Sequence, residues 1–142
     1  MTPQEFIVKR KQLMRIKTLP LLLDELIEKH KSSHREWLDS NGDVVYPMIY
    51  KSVDLKRNIF SKMRSSVNYH PEKYNVCKIA FALGLNLEET NELLSVCGYA
   101  FSPSVKFDII VASFIEAGVY NVEMLDEALY QENQRTFMGC ED

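Results

Sequence analysis

Residues 55–64 read Leu-Lys-Arg-Asn-Ile-Phe-Ser-Lys-Met-Arg, and residues 79–89 read Ile-Ala-Phe-Ala-Leu-Gly-Leu-Asn-Leu-Glu-Glu. In the first stretch Leu55, Phe60 and Met63 are anchoring apolar positions, with Phe60 and Met63 three apart on one helical face. Lys56, Arg57, Asn58, Ser61, Lys62 and Arg64 fill most of what remains, and these residue types grip phosphates or read base edges. In the second stretch Val76, Ile79, Ala80 and Leu83 make one apolar face, and Gly84 ends the helix in the position just past its last turn. Asn86 followed by Glu89 is a variant of the capping box, opening a helix through Val96 that Gly98 stops. The loop Val67-Asn68-Tyr69-His70 ends at Pro71, which suits a first helical position. Three helices are therefore expected, over 57–65, 72–83 and 86–96, with Asp54-Leu55-Lys56 as a turn before the first.

Outward from this centre nearly every segment keeps a helical period. A short helix runs from Pro47 to about Val53. The clearest turn is Ser40-Asn41-Gly42-Asp43. Its flanks, Trp37-Leu38 and Val44-Val45-Tyr46, read as helix ends rather than a hairpin, because two isolated short strands are marginal in water. Leu19 to His30 carries Leu22, Leu23, Leu26 and Ile27 on one face, with Pro20 in the first turn and a break near Thr18. Pro3 to Lys17 is a modest amphipathic helix with Phe6, Leu13 and Ile16 near one stripe. On the other side, Ser102-Pro103 opens a helix with Phe107, Ile110, Val111 and Phe114 as its stripe and Gly118 as its stop. Asn121 caps a last helix with Leu125, Ala128 and Leu129 inward. The expected fold is all-α, a compact helical bundle with extra N- and C-terminal helices around the 44–99 core. The chain divides into an arm and first core helix (1–43), the core (44–99) and an extension (100–142). No period of 20–50 residues repeats, which argues against a solenoid.

A chain of 142 residues fits one domain that buries a real core without staples. Its 46% apolar and 26% charged residues are those of a globular protein. The net charge of −3 conceals an uneven distribution: residues 1–46 carry +1, residues 47–79 carry +5 and residues 80–142 carry −9. A basic face on an acidic body follows. No run approaches a membrane span, and the basic N-terminal stretch is followed by an apolar run that Asp24 and Glu25 break at once, unlike a signal peptide. Cys77, Cys97 and Cys140 lack CxxC spacing; Cys77 and Cys97 read as core, and a reduced, cytoplasmic protein is expected.

The patterns of catalysis are missing: there is no GxSxG, Walker loop, GxGxxG or HExxH. That argues against an enzyme, and nothing calls for a cofactor. His30 and His34, four apart, lack further ligands for zinc and read as exposed histidines at a helix end. Asp39, Asn41 and Asp43 imitate the start of an EF-hand, but Val44 and Tyr50 stand where its glycine and bidentate glutamate belong. No metal is expected.

The run from Leu55 to Arg64, then Pro71, then Ile79 to Glu89, resembles the λ-repressor/Cro (XRE) family of helix-turn-helix proteins. The likeness covers residues 44–99, and the part from Gly98-Tyr99 to Leu129 is similar to an extension that follows such units in bacterial proteins. The resemblance implies a transcriptional regulator that places helix Arg57–Ser65 in the major groove of double-stranded DNA. Carried over by position, Arg57, Asn58 and Lys62 read bases, with Lys56 and Ser61 beside them. Arg64, Asn68, Tyr69 and Lys73 fall at the phosphate backbone, as does the amino end of the helix after Pro71. Reading palindromic DNA would require a homodimer, formed through the N-terminal or the C-terminal helices. The chain departs from the pattern at Ile49 and Tyr50, where a small residue is usual. It also departs at Ser65-Ser66-Val67-Asn68, where a glycine is usual, and at Ile59, where Ser or Thr often faces the groove. These departures, with the acidic C-terminal half, carry an alternative reading: a protein–protein interaction module on a degenerate frame that no longer binds DNA.

Overall fold

The helix at the centre of the molecule is the one whose sequence has apolar residues nearly all the way round. In the computed structural model, which describes residues 1–13 and 17–139, the helices are α1 (Pro3–Leu13), α2 (Leu19–His30), α3 (Pro47–Tyr50), α4 (Arg57–Ser65), α5 (Lys73–Leu83), α6 (Leu87–Val96), α7 (Lys106–Ala117) and α8 (Val122–Gln131). Three short 3-10 turns join them, at Lys31–Ser33, Arg35–Trp37 and Lys51–Val53. The fold is an all-α bundle. Ile16 and Cys140 lie outside the described residues.

Helix α5 buries Val76, Cys77, Ile79, Ala80, Phe81 and Leu83, so it has a core-facing surface on several sides. It packs on α2, α3 and α6, while α2 lies against α4 and α6 and the α7–α8 pair adds to α6. Each fully buried Leu, Ile or Phe here contributes about 1.5–3 kcal/mol relative to exposure. Local signals set the ends of these helices. Thr18 caps α2 at the Leu21 N–H, Asn121 caps α8 at the Met124 N–H, and Gly84 and Gly118 take left-handed conformations after α5 and α7. Asn86 and Glu89 form both bonds of the capping box, at 2.8 and 3.0 Å.

Glu89 also reaches across the bundle. Its Oε2 accepts from Lys29 Nζ at 2.7 Å and from His30 Nε2 at 2.9 Å, pinning α6 to the end of α2. Burial pulls the Glu89 carboxyl up. Its bonds from Lys29, His30 and the Asn86 N–H outweigh that and bring it down to about 2.

Four expectations need correction. The Ser40–Asp43 turn closes a minimal hairpin, not a helix junction. Leu38 and Val44 form an antiparallel bridge, and Val45 N–H donates to the Trp37 carbonyl. The hairpin survives because Trp37 is buried in the core and Asp39 Oδ1 accepts from the Asn41 and Asp43 N–H groups. His30 and His34 are half-buried rather than exposed; His30 meets Glu89, and His34 stacks on Trp37 with centroids 4.1 Å apart. Pro71 precedes α5 instead of opening it, because Glu72 is the capping residue. In α7 the inward stripe is Asp108, Val111 and Ile115, with Phe107, Ile110 and Phe114 half-buried at its flanks. Helix α1 forms, closed by reciprocal Thr2–Glu5 bonds, and Phe6 on it is 55% exposed.

Candidate nucleic-acid interface

The basic segment folds as a helix, a turn and a second helix. Helix α3 continues into the 3-10 turn Lys51–Val53, and Asp54 then takes a left-handed conformation with φ 55°. Three bonds hold this turn: Asp54 N–H donates to the Lys51 carbonyl at 3.2 Å, Leu55 N–H donates to the Tyr50 carbonyl at 2.8 Å, and the buried Lys78 Nζ donates to the Asp54 carbonyl at 3.1 Å. Leu55, Phe60 and Met63 are buried, and the Phe60 ring lies 5.3 Å from Tyr50 and 6.0 Å from Tyr46. These anchors fix the rotation of α4. Arg57, Asn58, Ser61, Lys62 and Ser65 then stand exposed at helical spacing on its outer face, and Lys56 is exposed at its start.

Ile59, a departure from the family pattern, does not sit on that outer face. It is half-buried and packs against the core beside the turn. Tyr50, the bulky residue in α3, is buried as a partner of Phe60. Both departures are accommodated inside the molecule.

The nine residues singled out in the sequence separate into three groups. Lys56, Arg57, Asn58, Ser61, Lys62 and Asn68 are exposed. Tyr69 is half-buried at the edge, with Lys62 Nζ 5.7 Å from its ring centroid. Arg64 and Lys73 turn to partners within the molecule. The Arg64 guanidinium lies 3.8 Å over the Tyr46 ring, donates to the Tyr46 hydroxyl at 3.0 Å and meets Asp24 at 3.1 Å, binding α4 to α2. Lys73 Nζ is 2.5 Å from Asp108, whose carboxylate is 2% exposed and also accepts from the Ser102 N–H.

Sequence reasoning missed Asp108, Lys78 and Phe137. A carboxylate at position i of an i, i+3, i+7 stripe with Val111 and Ile115 signals a buried partner, and so does a lysine among the apolar residues of α5. Phe137, fully buried beyond the last helix, gave no periodic signal.

The electrostatics of the outer face follow from what is near it. Among the described residues, Lys56, Arg57 and Lys62 have no carboxylate within ion-pair distance. The first turn of α4 holds no acid, and Lys56 has no side-chain bond to the helix end. Cations at a helix N-terminus oppose the macrodipole and cost a few tenths of a kcal/mol each. Their charges add to those of the free N–H groups and make this end of α4 attractive to anions. A shallow cleft of about 530 Å³ runs beside α4, with Tyr46, Tyr50, Lys51, Arg57, Ser61 and Arg64 on its walls.

The loop after α4 is held against the rest of the core. His70 Nε2 donates to the Cys97 carbonyl at 2.9 Å, and the Tyr99 hydroxyl donates to the Pro71 carbonyl at 2.8 Å. Burial pushes the Cys77 thiol up to about 12 and Cys97 up to about 11, so neither supplies a thiolate near neutral pH. Among the described residues no helix is long and apolar enough to cross a membrane. No family model matches this chain, and neither does any curated protein or solved structure compared with it.

Proposed function

We propose that this chain is a sequence-specific binder of double-stranded DNA, a transcriptional regulator of the λ-repressor/Cro kind working in the cytoplasm. The observation that carries the reading is the outer face of α4. Arg57, Asn58, Ser61 and Lys62 stand exposed together on a helix anchored from behind, and among the described residues Lys56 and Arg57 at its amino end and Lys62 in its last turn have no carboxylate within ion-pair distance. Arg57 suits bidentate bonding to guanine, Asn58 suits adenine, and Lys56 and Lys62 suit phosphates or guanine. Asn68 and Tyr69 border the backbone. Homodimerisation through the N- or C-terminal helices would set two such helices about one turn of duplex apart.

The protein-docking alternative draws support from Arg64 and Lys73, whose charges are spent on Asp24 and Asp108. One experiment separates the two. Fluorescence anisotropy with a labelled duplex of mixed sequence, at low salt, is expected to show micromolar or tighter binding by the wild type. The double charge reversal Arg57→Glu with Lys62→Glu is expected to weaken it by about 100-fold or more while leaving the thermal melt unchanged. A wild type that leaves the duplex free at micromolar protein overturns the DNA reading. So does a double variant that binds as well as wild type.

A further inference from the structure

Two helix faces of this chain fit one another and do not meet within it. The first is on α1, where every residue from Pro3 to Lys11 is exposed. Ile7, Arg10 and Lys11, three and four residues apart, share one face, with Phe6 and Val8 at its edges. Phe6, Ile7 and Val8 are each more than half exposed, and a contiguous apolar patch open to water marks an interaction surface. Residues 1–11 carry three cations, Lys9, Arg10 and Lys11, against Glu5, whose carboxylate accepts from the Thr2 N–H at the start of the helix. Among the described residues none of the three cations has a carboxylate within ion-pair distance.

The second face is on α8. Leu125 and Leu129 are fully buried and fix the rotation of that helix. Its other side presents Glu123, Glu127 and Tyr130, at i, i+4 and i+7, with Met124 beside them, and all four are exposed. Tyr130 is 76% exposed. Glu127 accepts a long bond of 3.5 Å from Gln131 on its own helix. Among the described residues neither Glu123 nor Glu127 pairs with a cation.

The two faces match in charge and in direction. Helix α1 runs from apolar to basic, Ile7 to Lys11, and α8 runs from acidic to aromatic, Glu123 to Tyr130. Laid antiparallel, Arg10 and Lys11 meet Glu123 and Glu127, while Ile7 and its apolar neighbours cover Tyr130. Antiparallel macrodipoles attract, and the charges already stand at the helix ends that suit them, cations in the last turn of α1 and Glu123 in the first turn of α8.

We propose that α1 of one copy docks antiparallel on the outer face of α8 of a second copy, and that the same contact made in return closes a homodimer around a two-fold axis. Both faces are exposed in the single chain, so each takes its complement from another molecule. Made twice, the contact divides between two places the roughly 1,600 Å² of a standard interface. The pairing rests on the homodimer of the DNA reading above, to which it gives a contact, and it is tested without DNA.

The test is the mass of the full chain by sedimentation velocity, at about 100 µM protein and low salt, where surface charges are least screened. Wild type is expected to sediment as a dimer. Two double reversals, Arg10→Glu with Lys11→Glu and Glu123→Lys with Glu127→Lys, should each be monomeric alone, because like charges then face one another. An equimolar mixture of the two should recover the dimer, since α1 of each again meets opposite charge on the other. Contacts within one copy, or between two α1 helices, would show no such recovery. A circular-dichroism melt establishes that each variant is folded. If a reversal fails to fold, Ile7→Ser and Tyr130→Ala take its place, each expected to weaken dimerisation about 10-fold. A monomeric wild type overturns the pairing, as does a folded variant that dimerises like wild type or a mixture that stays monomeric. The α4 reading then stands on its own titration, whereas a dimer of this kind that leaves the duplex free overturns the α4 reading alone.

Discussion

Lys62 and Lys73 stand eleven residues apart in the most basic part of the chain, and the family resemblance turns both towards DNA, Lys62 at the bases and Lys73 at the phosphate backbone. The fold treats them differently. On α4, Lys62 is exposed, with its Nζ 5.7 Å from the centroid of the Tyr69 ring. At the start of α5, Lys73 meets a carboxylate from α7 that is 2% exposed. The same contrast divides the two regions as a whole. The outer face of α4 keeps cations that no carboxylate among the described residues pairs with, while the foot of α5 uses its cation to let α7 bury an acid. A lysine is available to a ligand only where no later element brings an acid to it. That later element lies 35 residues away in the sequence.

The contrast can be broken most forcefully at Asp108. Asp108→Ala leaves Lys73 without its partner and the Ser102 N–H without its acceptor. An expected loss of about 3–5 kcal/mol, read from urea or thermal unfolding, marks a buried pair broken from one side. Removing both charges together, with Lys73→Met and Asp108→Leu, should recover much of that loss, because a buried pair replaced by packed apolar groups is often neutral.

The next effect is one of acidity. Glu89 is held at about 2 when folded, below the ordinary carboxylate value of about 4.5, so the unfolded chain takes up its proton first as the pH falls. Its contribution is complete above about pH 4.5 and disappears as the pH drops towards 2. The difference is worth about 3 kcal/mol at most. Melts of wild type and Glu89→Gln from neutral pH downward should converge over that window, and parallel curves would show that the bonds to Lys29 and His30 contribute little.

The smallest effect tests whether Arg64 belongs to the inner or the outer group. Arg64→Ala removes the stack on Tyr46 and the contact with Asp24, and about 1 kcal/mol of stability should go with them. Duplex affinity should change by less than about 3-fold. A large loss of affinity with an unchanged melt would return Arg64 to the outer face.

What could be read from the sequence was whatever neighbouring residues decide among themselves. The stop at Gly84, the Asn86–Glu89 box and the stop at Gly118 depend on residues within four positions of the backbone groups they serve. The outward set on α4 was legible for the same reason, since Phe60 and Met63 fix the helix rotation. The fates of Arg64 and Lys73 were not legible, because Asp24, Tyr46 and Asp108 come from other elements. The hairpin at Ser40–Asp43 was misread because its strands depend on Trp37 entering a core assembled from distant helices. Ile59 was judged by the family's groove-facing place, and here that position turns towards the core beside the turn.

The burial of Phe137 has a consequence in time. Phe81 lies in α5, but Phe137, whose ring closes edge-on against it, is made 56 residues later. At ribosomal rates of about 5–20 residues per second, roughly 3–11 seconds pass between the synthesis of Phe81 and that of Phe137. Through that interval one side of the central helix lacks its cover, and a nascent chain has an aromatic surface open to chaperones. The aromatic cover of α5 is therefore completed by a residue made 56 positions after Phe81.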